Sequence, residues 1–400
     1  SDLIEKCLDE YINLMHTHDG IPTFPLTANT LSRNPNFIQR FLGNGVEFAI
    51  HGYTHADYTN LTLINQIKCI ETAIDTFNKF NIVFSGFRFP YLRWNEETFQ
   101  LLDNYNFLWD SSRTIIWDFI KAKKKKKVYQ RILSFYKPEN AQDSIVKPSL
   151  KYNFVEIPVS LPDDDILVDI LGIHNPNEIE RIWIKIFEQT YKRGEIFTLQ
   201  LHPERIFLTK HSLNSLLCKA RKSDPSVWIT NLNEIAKWWK EREYFSFNIS
   251  KTGKGKYKII ANCTSSATIL TRNIKLDTST QDNFIDNYNI INENCFEIES
   301  PQKPVIGISK RLPIALMNYL KEEGYPFEIC NSKNNYGIYL DEYQYATQKD
   351  EKKVLETINQ SSSPIVRFWR WPNRAKSALA VTGDIDALTL FDFFLRVLGR

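Results

Sequence analysis

Apolar positions along the first 243 residues alternate between two periods. Leu3, Ile4, Cys7, Leu8, Tyr11, Ile12 and Met15 recur at helical spacing, which predicts an amphipathic helix over 2–15. Ile21 to Thr27 then reads as a strand, as does the apolar run Val46 to Ile50. Ile64, Ile67, Ile74 and Phe77 share one face of a helix over 61–80. A strand runs into Arg88, a helix covers 95–103, and further strands are predicted over 106–110 and 154–160. Pro176 and Gly194 bracket a helix over 177–193, because proline suits a first helical turn and glycine the left-handed residue past the last one. Strands at 195–201 and 227–230 and a helix over 231–242 complete the series. Seven or eight strand–helix units favour a parallel sheet closed into a barrel.

The pattern changes at about residue 244. Lys256 to Asn262 and Ile269 to Leu276 read as strands separated by turns rich in Asn, Thr and Ser; Val305–Ser309, Arg311–Glu323 and Tyr336–Leu340 predict strand, helix, strand. Residues 244–372 therefore form a β-rich or mixed accessory module. After it, Ser377 to Asp384 is again an apolar strand, followed by a predicted helix over 388–398. A lone strand and helix cannot bury their own faces, so their expected place is the sheet begun at the N-terminus. Residues 111–150 read as a long connection whose five lysines, Lys123 to Lys127, mark a solvated loop or a contact for an anionic partner.

With 400 residues, an apolar fraction of 42% and a net charge of +3, the chain fits about two domains and gives no general argument for nucleic acid or a membrane surface. It contains no apolar run long enough for a membrane span. Without an initiator Met, processing at the N-terminus and an upstream signal stay open. The six cysteines are dispersed without close pairs, which leans toward a reducing, cytoplasmic setting.

Candidate chemistry gathers at strand ends. His51-Gly-Tyr-Thr-His55 follows the Val46–Ile50 strand, and a four-residue spacing puts both imidazoles on one side of a helical turn, able to converge on one cation. Arg88-Phe-Pro90-Tyr91, Leu199-Gln-Leu201-His202-Pro203 and Thr382-Gly-Asp384-Ile-Asp386 end three other strands. Asp384 and Asp386, two apart on a strand, point to one face. His16 and His18 form another imidazole pair, but they follow a helix and precede Asp19-Gly20, the sequence of a turn. Trp369 and Trp371 offer flat faces for stacking on sugars or for packing in a core or between domains.

These motifs together resemble the polysaccharide deacetylase family, the NodB-homology carbohydrate esterases. The resemblance implies a distorted (β/α)7–8 barrel of the NodB type, here over residues 1–243 and 373–400, with a separate β-rich or α+β accessory domain over 244–372. The aspartate motif, first in the family, comes last in this chain, so the sequence is similar to a circular permutant of that fold. The resemblance makes His51, His55 and Asp386 the ligands of a divalent metal, with zinc best suited to two imidazoles and a carboxylate. It makes Asp384 the general base, Arg88 the group orienting it, and Asp110, in Trp109-Asp110-Ser111, the acid holding that arginine. The amide of Tyr91 matches the oxyanion donor, His202 the general acid, and Leu199 and Leu201 the apolar wall for an acetyl methyl. Trp117 is a looser match to a pocket-lining tryptophan of the family. The implied activity is deacetylation of an N-acetylated or O-acetylated glycan. Two rivals stand beside it. One is an amidase of the same fold acting on a small molecule, as allantoinases do, which the metal content discriminates. The other is a non-catalytic glycan-binding protein, which a long separation between Asp386 and both imidazoles would favour.

Overall fold

A computed structural model of the chain describes residues 2–119, 126–274, 282–285, 287–331, 333–341, 348–389 and 392. Most of the predicted helix over 388–398, and Lys123 to Lys125 of the lysine run, lie outside the described residues. The chain divides into two compact units: one comprises Ser1–Gln142, Val146–Trp239 and Ala378–Arg400, the other Asp143–Ile145 and Lys240–Ser377.

The first unit is built on a twelve-stranded, curled half-barrel sheet flanked by helices, the mixed α/β architecture expected of a NodB-type barrel. Its strands in chain order are β1 Thr23–Leu26, β2 Glu47–Ile50, β3 Phe84–Phe87, β4 Trp109–Asp110, β5 Thr114–Ile116, β6 Glu139–Asn140, β7 Ser149–Lys151, β8 Phe154–Glu156, β9 Val159–Leu161, β10 Ile196–Leu201 and β11 Val227–Ile229. The strand Ser377–Gly383 is the twelfth. It lies between β10 and β1, parallel to both, with six partners in register along β10 from Ile196↔Ala378 to Leu201↔Gly383. β1, β2, β3 and β4 then follow in parallel, so consecutive strands of the sequence are neighbours in space, as strand–helix–strand units dictate. The 377–383 strand is buried at every position, in keeping with its continuous run of Ala, Leu, Val and Thr rather than an alternating one.

The helix Asp2–Thr17 buries Cys7, Leu8, Tyr11, Ile12 and Met15 of the predicted stripe, while Leu3 in its first turn is exposed and Ile4 half-buried. Pro176–Arg193 begins with proline behind an Asn175 cap and ends at Gly194, φ 64°, as its flanking residues required. Two readings change. The predicted strand over 154–160 is two strands broken at Ile157-Pro158: β8 pairs with β4 and β7, while β9 pairs with β5 and β10. Proline lacks the N–H a ladder needs, so the pairing switches there. The 111–150 connection also carries structure, with β5, β6, β7 and a helix Lys126–Tyr136 that buries Ile132; the lysine run obscured that helix's short apolar stripe. Ile206–Arg221 is a further helix, with Leu213, Leu216, Leu217 and Ala220 inward.

At the strand starts, the Glu47 carboxylate accepts hydrogen bonds from Thr23 Oγ1 (2.7 Å), Trp109 Nε1 (3.0 Å), the Asn233 amide (3.1 Å) and Ser85 Oγ (3.4 Å). Removal from water pushes its pKa up to about 7, and the four donors oppose that rise. One side chain thus ties β1, β3, β4 and the helix Leu232–Glu241 at the end opposite the candidate site.

The second unit contains two antiparallel sheets and a small parallel one. The first orders Ser246–Gly253, Lys256–Asn262 and Cys295–Glu299; the second Asp282–Ile285, Tyr288–Ile291, Ile269–Arg272 and Ile365–Phe368; the third Phe327–Ile329, Lys303–Ile308 and Tyr336–Leu340. Tyr257, Ile259, Ile269, Phe296, Ile298, Val366 and Phe368 form a core between strands. Trp371 is fully buried, and Trp369 is 4% exposed with Nε1 donating to Ala375 O at 2.9 Å. Neither offers a face for stacking, so both serve packing.

Candidate metal centre

His51, Arg88, His202 and Asp384 each sit one step beyond a strand end, as does Ser111, and at four of these positions the ladder hydrogen bonds continue that extra step. The amide of His51 donates to Leu26 O (3.0 Å), that of Arg88 to Ile50 O (2.9 Å), that of Ser111 to Phe87 O (3.1 Å), and that of Asp384 to Leu201 O (2.9 Å). Neighbouring strands therefore fix the backbone from which each side chain departs, at the C-terminal edge where parallel sheets carry their sites. Ile385 N donates to Pro25 O on the other side (2.7 Å), and Thr30 Oγ1 holds Asp386 O (2.8 Å).

His51, His55 and Asp386 converge, their ligand atoms all within 4.8 Å of one another. Asp386 Oδ1 lies 3.4 Å from His51 Nε2, and Oδ2 lies 3.4 Å from His55 Nε2. The His51 ring also bonds through Nδ1 to Arg88 O at 2.9 Å; a carbonyl accepts, so Nδ1 carries the proton and Nε2 presents a lone pair to the centre. Two imidazoles and one carboxylate, one imidazole fixed by an outer hydrogen bond, form a donor set that fits Zn²⁺. The pair is not on a helical turn. Residues 51–55 form a bend in which Gly52 takes φ +74°, and the imidazole ring centres are 5.2 Å apart.

Asp384 stands behind this set. Its Oδ1 accepts from Arg88 Nη1 at 2.7 Å, while Oδ2 is 3.7 Å from His51 Nε2. Arg88 is wholly buried; its other bonds go to Thr382 Oγ1 (2.7 Å), Ser111 O (2.8 Å) and Ser111 Oγ (2.9 Å). Asp110 does not hold the guanidinium. It accepts from Ser112 Oγ (2.9 Å), which itself accepts from the Phe89 amide (2.8 Å), so Asp110 orders the backbone between Arg88 and Tyr91. Burial, reinforced by Glu156 opposite it on β8, pushes the Asp110 pKa well up. The arginine's partner is the next residue, Ser111: Asp110, in register with Glu156, occupies the adjacent side of the strand end.

Tyr91 and Leu92 both take left-handed backbone conformations, φ 59° and 54°. Such conformations cost a non-glycine residue about 1–2 kcal/mol each and cluster at functional sites. The Tyr91 ring stands edge-on to His55, centroids 4.1 Å apart. His202 ends β10, with Nδ1 at 2.7 Å from Asp164 Oδ1 and its amide donating to Asp164 Oδ2 at 2.8 Å. Burial alone would depress its pKa; the Asp164 carboxylate and its hydrogen bond outweigh that and hold it well above the usual histidine value. Asp164, wholly buried, went unnoticed in the sequence, although Pro162-Asp163-Asp164-Asp165 after a strand was a visible signal of acids gathered at a strand end.

Leu199 and Leu201 have no exposed surface and pack as core beneath the site rather than as an open wall. His16 bonds Gly45 O (3.2 Å) and His18 bonds Asn214 Oδ1 (2.9 Å), the helix-end and turn roles their sequence favoured. Trp117 is buried and donates to Ser160 Oγ (3.3 Å). The six cysteines are unpaired, and no helix among the described residues is long and apolar enough to cross a membrane.

Residues 2–108 match the family model for polysaccharide deacetylase, a stretch that includes His51, His55, Arg88 and Tyr91. Over it the chain is similar to that class of enzyme, to which the gathered imidazoles and carboxylates also point. No curated protein matches the chain. Among solved structures, a Mycobacterium smegmatis protein assigned as a polysaccharide deacetylase is similar at 19% identity and TM-score 0.48, over 62% of this chain and 81% of that one. The Puue allantoinase is similar at 17% identity and TM-score 0.46, over 58% and 72%. A Pseudomonas aeruginosa PAO1 protein also assigned as a polysaccharide deacetylase is similar at 18% identity and TM-score 0.46, over 59% and 73%.

Proposed function

We propose that the chain is a metal-dependent deacetylase that hydrolyses N-acetyl or O-acetyl groups on a glycan. The observation that carries this reading is the meeting of His51, His55 and Asp386 with Asp384 alongside, from opposite ends of the sequence. Those three ligands would hold one divalent cation, zinc by donor type. When bound, the cation supplies Lewis acidity to the acyl oxygen and to the attacking water.

The chain's own residues supply the rest. Asp384, fixed through Oδ1 by Arg88, offers Oδ2 to take a proton from water as its oxygen attacks the acyl carbon. The Tyr91 amide, held in a left-handed backbone, donates to the oxyanion; such a donor is typically worth about 2.7–4 kcal/mol of the barrier. His202, held as imidazolium by Asp164, gives a proton to the departing nitrogen or oxygen as its bond to the acyl carbon breaks. The order of motifs, with the aspartates last, supports reading the chain as a permuted NodB-type fold.

Release of acetate from a panel of acetylated glycans by zinc-loaded protein, compared with the Asp384→Asn form, tests the reading. Acetate above background from wild type alone is expected. Equal background from both proteins on every glycan would sink it.

A further inference from the structure

Beside the metal centre, past the C-terminal end of β3 and at the start of β5, lies a cavity of about 270 Å³ that the chemistry above does not use. It lies just below the about 300–1,000 Å³ of ordinary ligand pockets and suits one sugar-sized group. Leu92 and Arg93 on its rim directly follow Tyr91, whose ring lies between His55 (4.1 Å) and Phe135 of the cavity (6.1 Å). One aromatic ring thus separates the cavity from a metal-ligand candidate.

The decisive residue is Arg113, buried with 6% exposure. Its Nε donates to Glu156 Oε2 at 2.7 Å, and its Nη1 to both oxygens of Glu139 at 3.1 and 3.3 Å. Among the described residues its Nη2 meets no acceptor, so one edge of a buried guanidinium is left for a ligand. A planar guanidinium selects carboxylates because its donors match their two oxygens. The neighbouring cations are Arg93, already bonded to Asp57 (2.6 Å) and Phe135 O (2.7 Å), and Lys137, which has no ion pair among the described residues. Glu139 faces the same space but is engaged by Nη1, on the other branch of the fork. Trp94 and Phe135 add flat apolar faces of the kind that pack on sugar rings.

We propose that this cavity binds a carboxylate-bearing sugar unit, held by Arg113 Nη2 and Lys137 against Trp94 and Phe135. The centre then prefers acidic acetylated glycans to neutral ones. The preference rests on the deacetylase reading, but the binding does not, so it is measured without turnover.

The full-length protein is titrated with D-glucuronate and with D-glucose, following tryptophan fluorescence and heat. Glucuronate is expected to bind at least tenfold more tightly than glucose, with affinity falling tenfold or more in Arg113→Gln and severalfold in Lys137→Glu. Lys137 is exposed, so its variant keeps the test valid if Arg113→Gln does not fold. His51→Ala is expected to leave glucuronate binding intact. Equal affinity for the two sugars, no binding, or glucuronate affinity unchanged by Lys137→Glu would overturn the proposal. Glucuronate binding with no acetate released from any glycan would retain the cavity and refute only the deacetylase reading. Acetate released equally from acidic and neutral glycans would refute the preference alone.

Discussion

Substituting Asp164 by Asn isolates the group that makes His202 an acid. The change keeps one acceptor for Nδ1 but removes the charge and places an NH₂ against the His202 amide, where Oδ2 had accepted at 2.8 Å. Opposite charges about 4 Å apart at an effective dielectric of about 20 interact by about 4 kcal/mol, and about 1.36 kcal/mol corresponds to one pH unit. Glu204, which also raises the His202 pKa, remains in the variant, and Arg205, 3.8 Å from Asp164, shares the aspartate in the wild type. The titration midpoint of His202 should therefore fall in the variant, by less than the full Coulomb attraction would give. Histidine-selective NMR titration reads this directly, without substrate. Because the imidazolium is the acid, the alkaline limb of the pH–rate profile should move down by a similar amount.

Stability carries a second signature with a definite sign. The folded-state pKa of His202 is raised, so the pair's stabilisation is fully present below the unfolded value of about 6.5 and is lost as pH rises through the folded value. Denaturation of wild type should thus show a loss of stability over that window that Asp164→Asn lacks. A His202 midpoint that does not move in Asp164→Asn would refute the electrostatic account of the acid.

Other outcomes are expected together. His51→Ala and Asp386→Ala should each abolish stoichiometric zinc retention after dialysis, measured by elemental analysis, because two remaining ligands cannot hold the ion; near-equimolar zinc in either variant would contradict the assigned cage. Asp384→Asn should retain zinc yet lose about 10²–10⁴-fold in kcat, separating the base from the ligands. Gly86→Ala should be severely destabilising in urea titrations, at or beyond the about 1–3 kcal/mol of ordinary overpacking, since its methyl would fall 1.9 Å from Trp109 Cε2 on the next strand. Gly52→Ala should also lose stability, by about 1–2 kcal/mol for the left-handed backbone, with added crowding against Tyr58 Oη at 3.0 Å.

The linear chain determined the elements whose signals are local. The stripe from Cys7 to Met15, the Pro176–Gly194 bracket and the apolar runs ending at Ile50 and Leu201 are set by side-chain period and by backbone preferences of proline and glycine, which need no distant partner. Residue types and strand-end positions likewise exposed His51, His55, Arg88, His202, Asp384 and Asp386. Tertiary structure alone decided which groups meet. Asp164 became the partner of His202, and Ser111 rather than Asp110 the partner of Arg88, because adjacent strand ends bring different loops within hydrogen-bonding reach. The His51–His55 approach came from a bend at Gly52, which spacing alone could not distinguish from a helical turn. The place of Ser377–Gly383 between β10 and β1 is the deepest such decision. Its apolar run specified burial on both faces, but a parallel strand's neighbours are chosen by the pairing and packing of residues nearly two hundred or more positions away, and no local period encodes that.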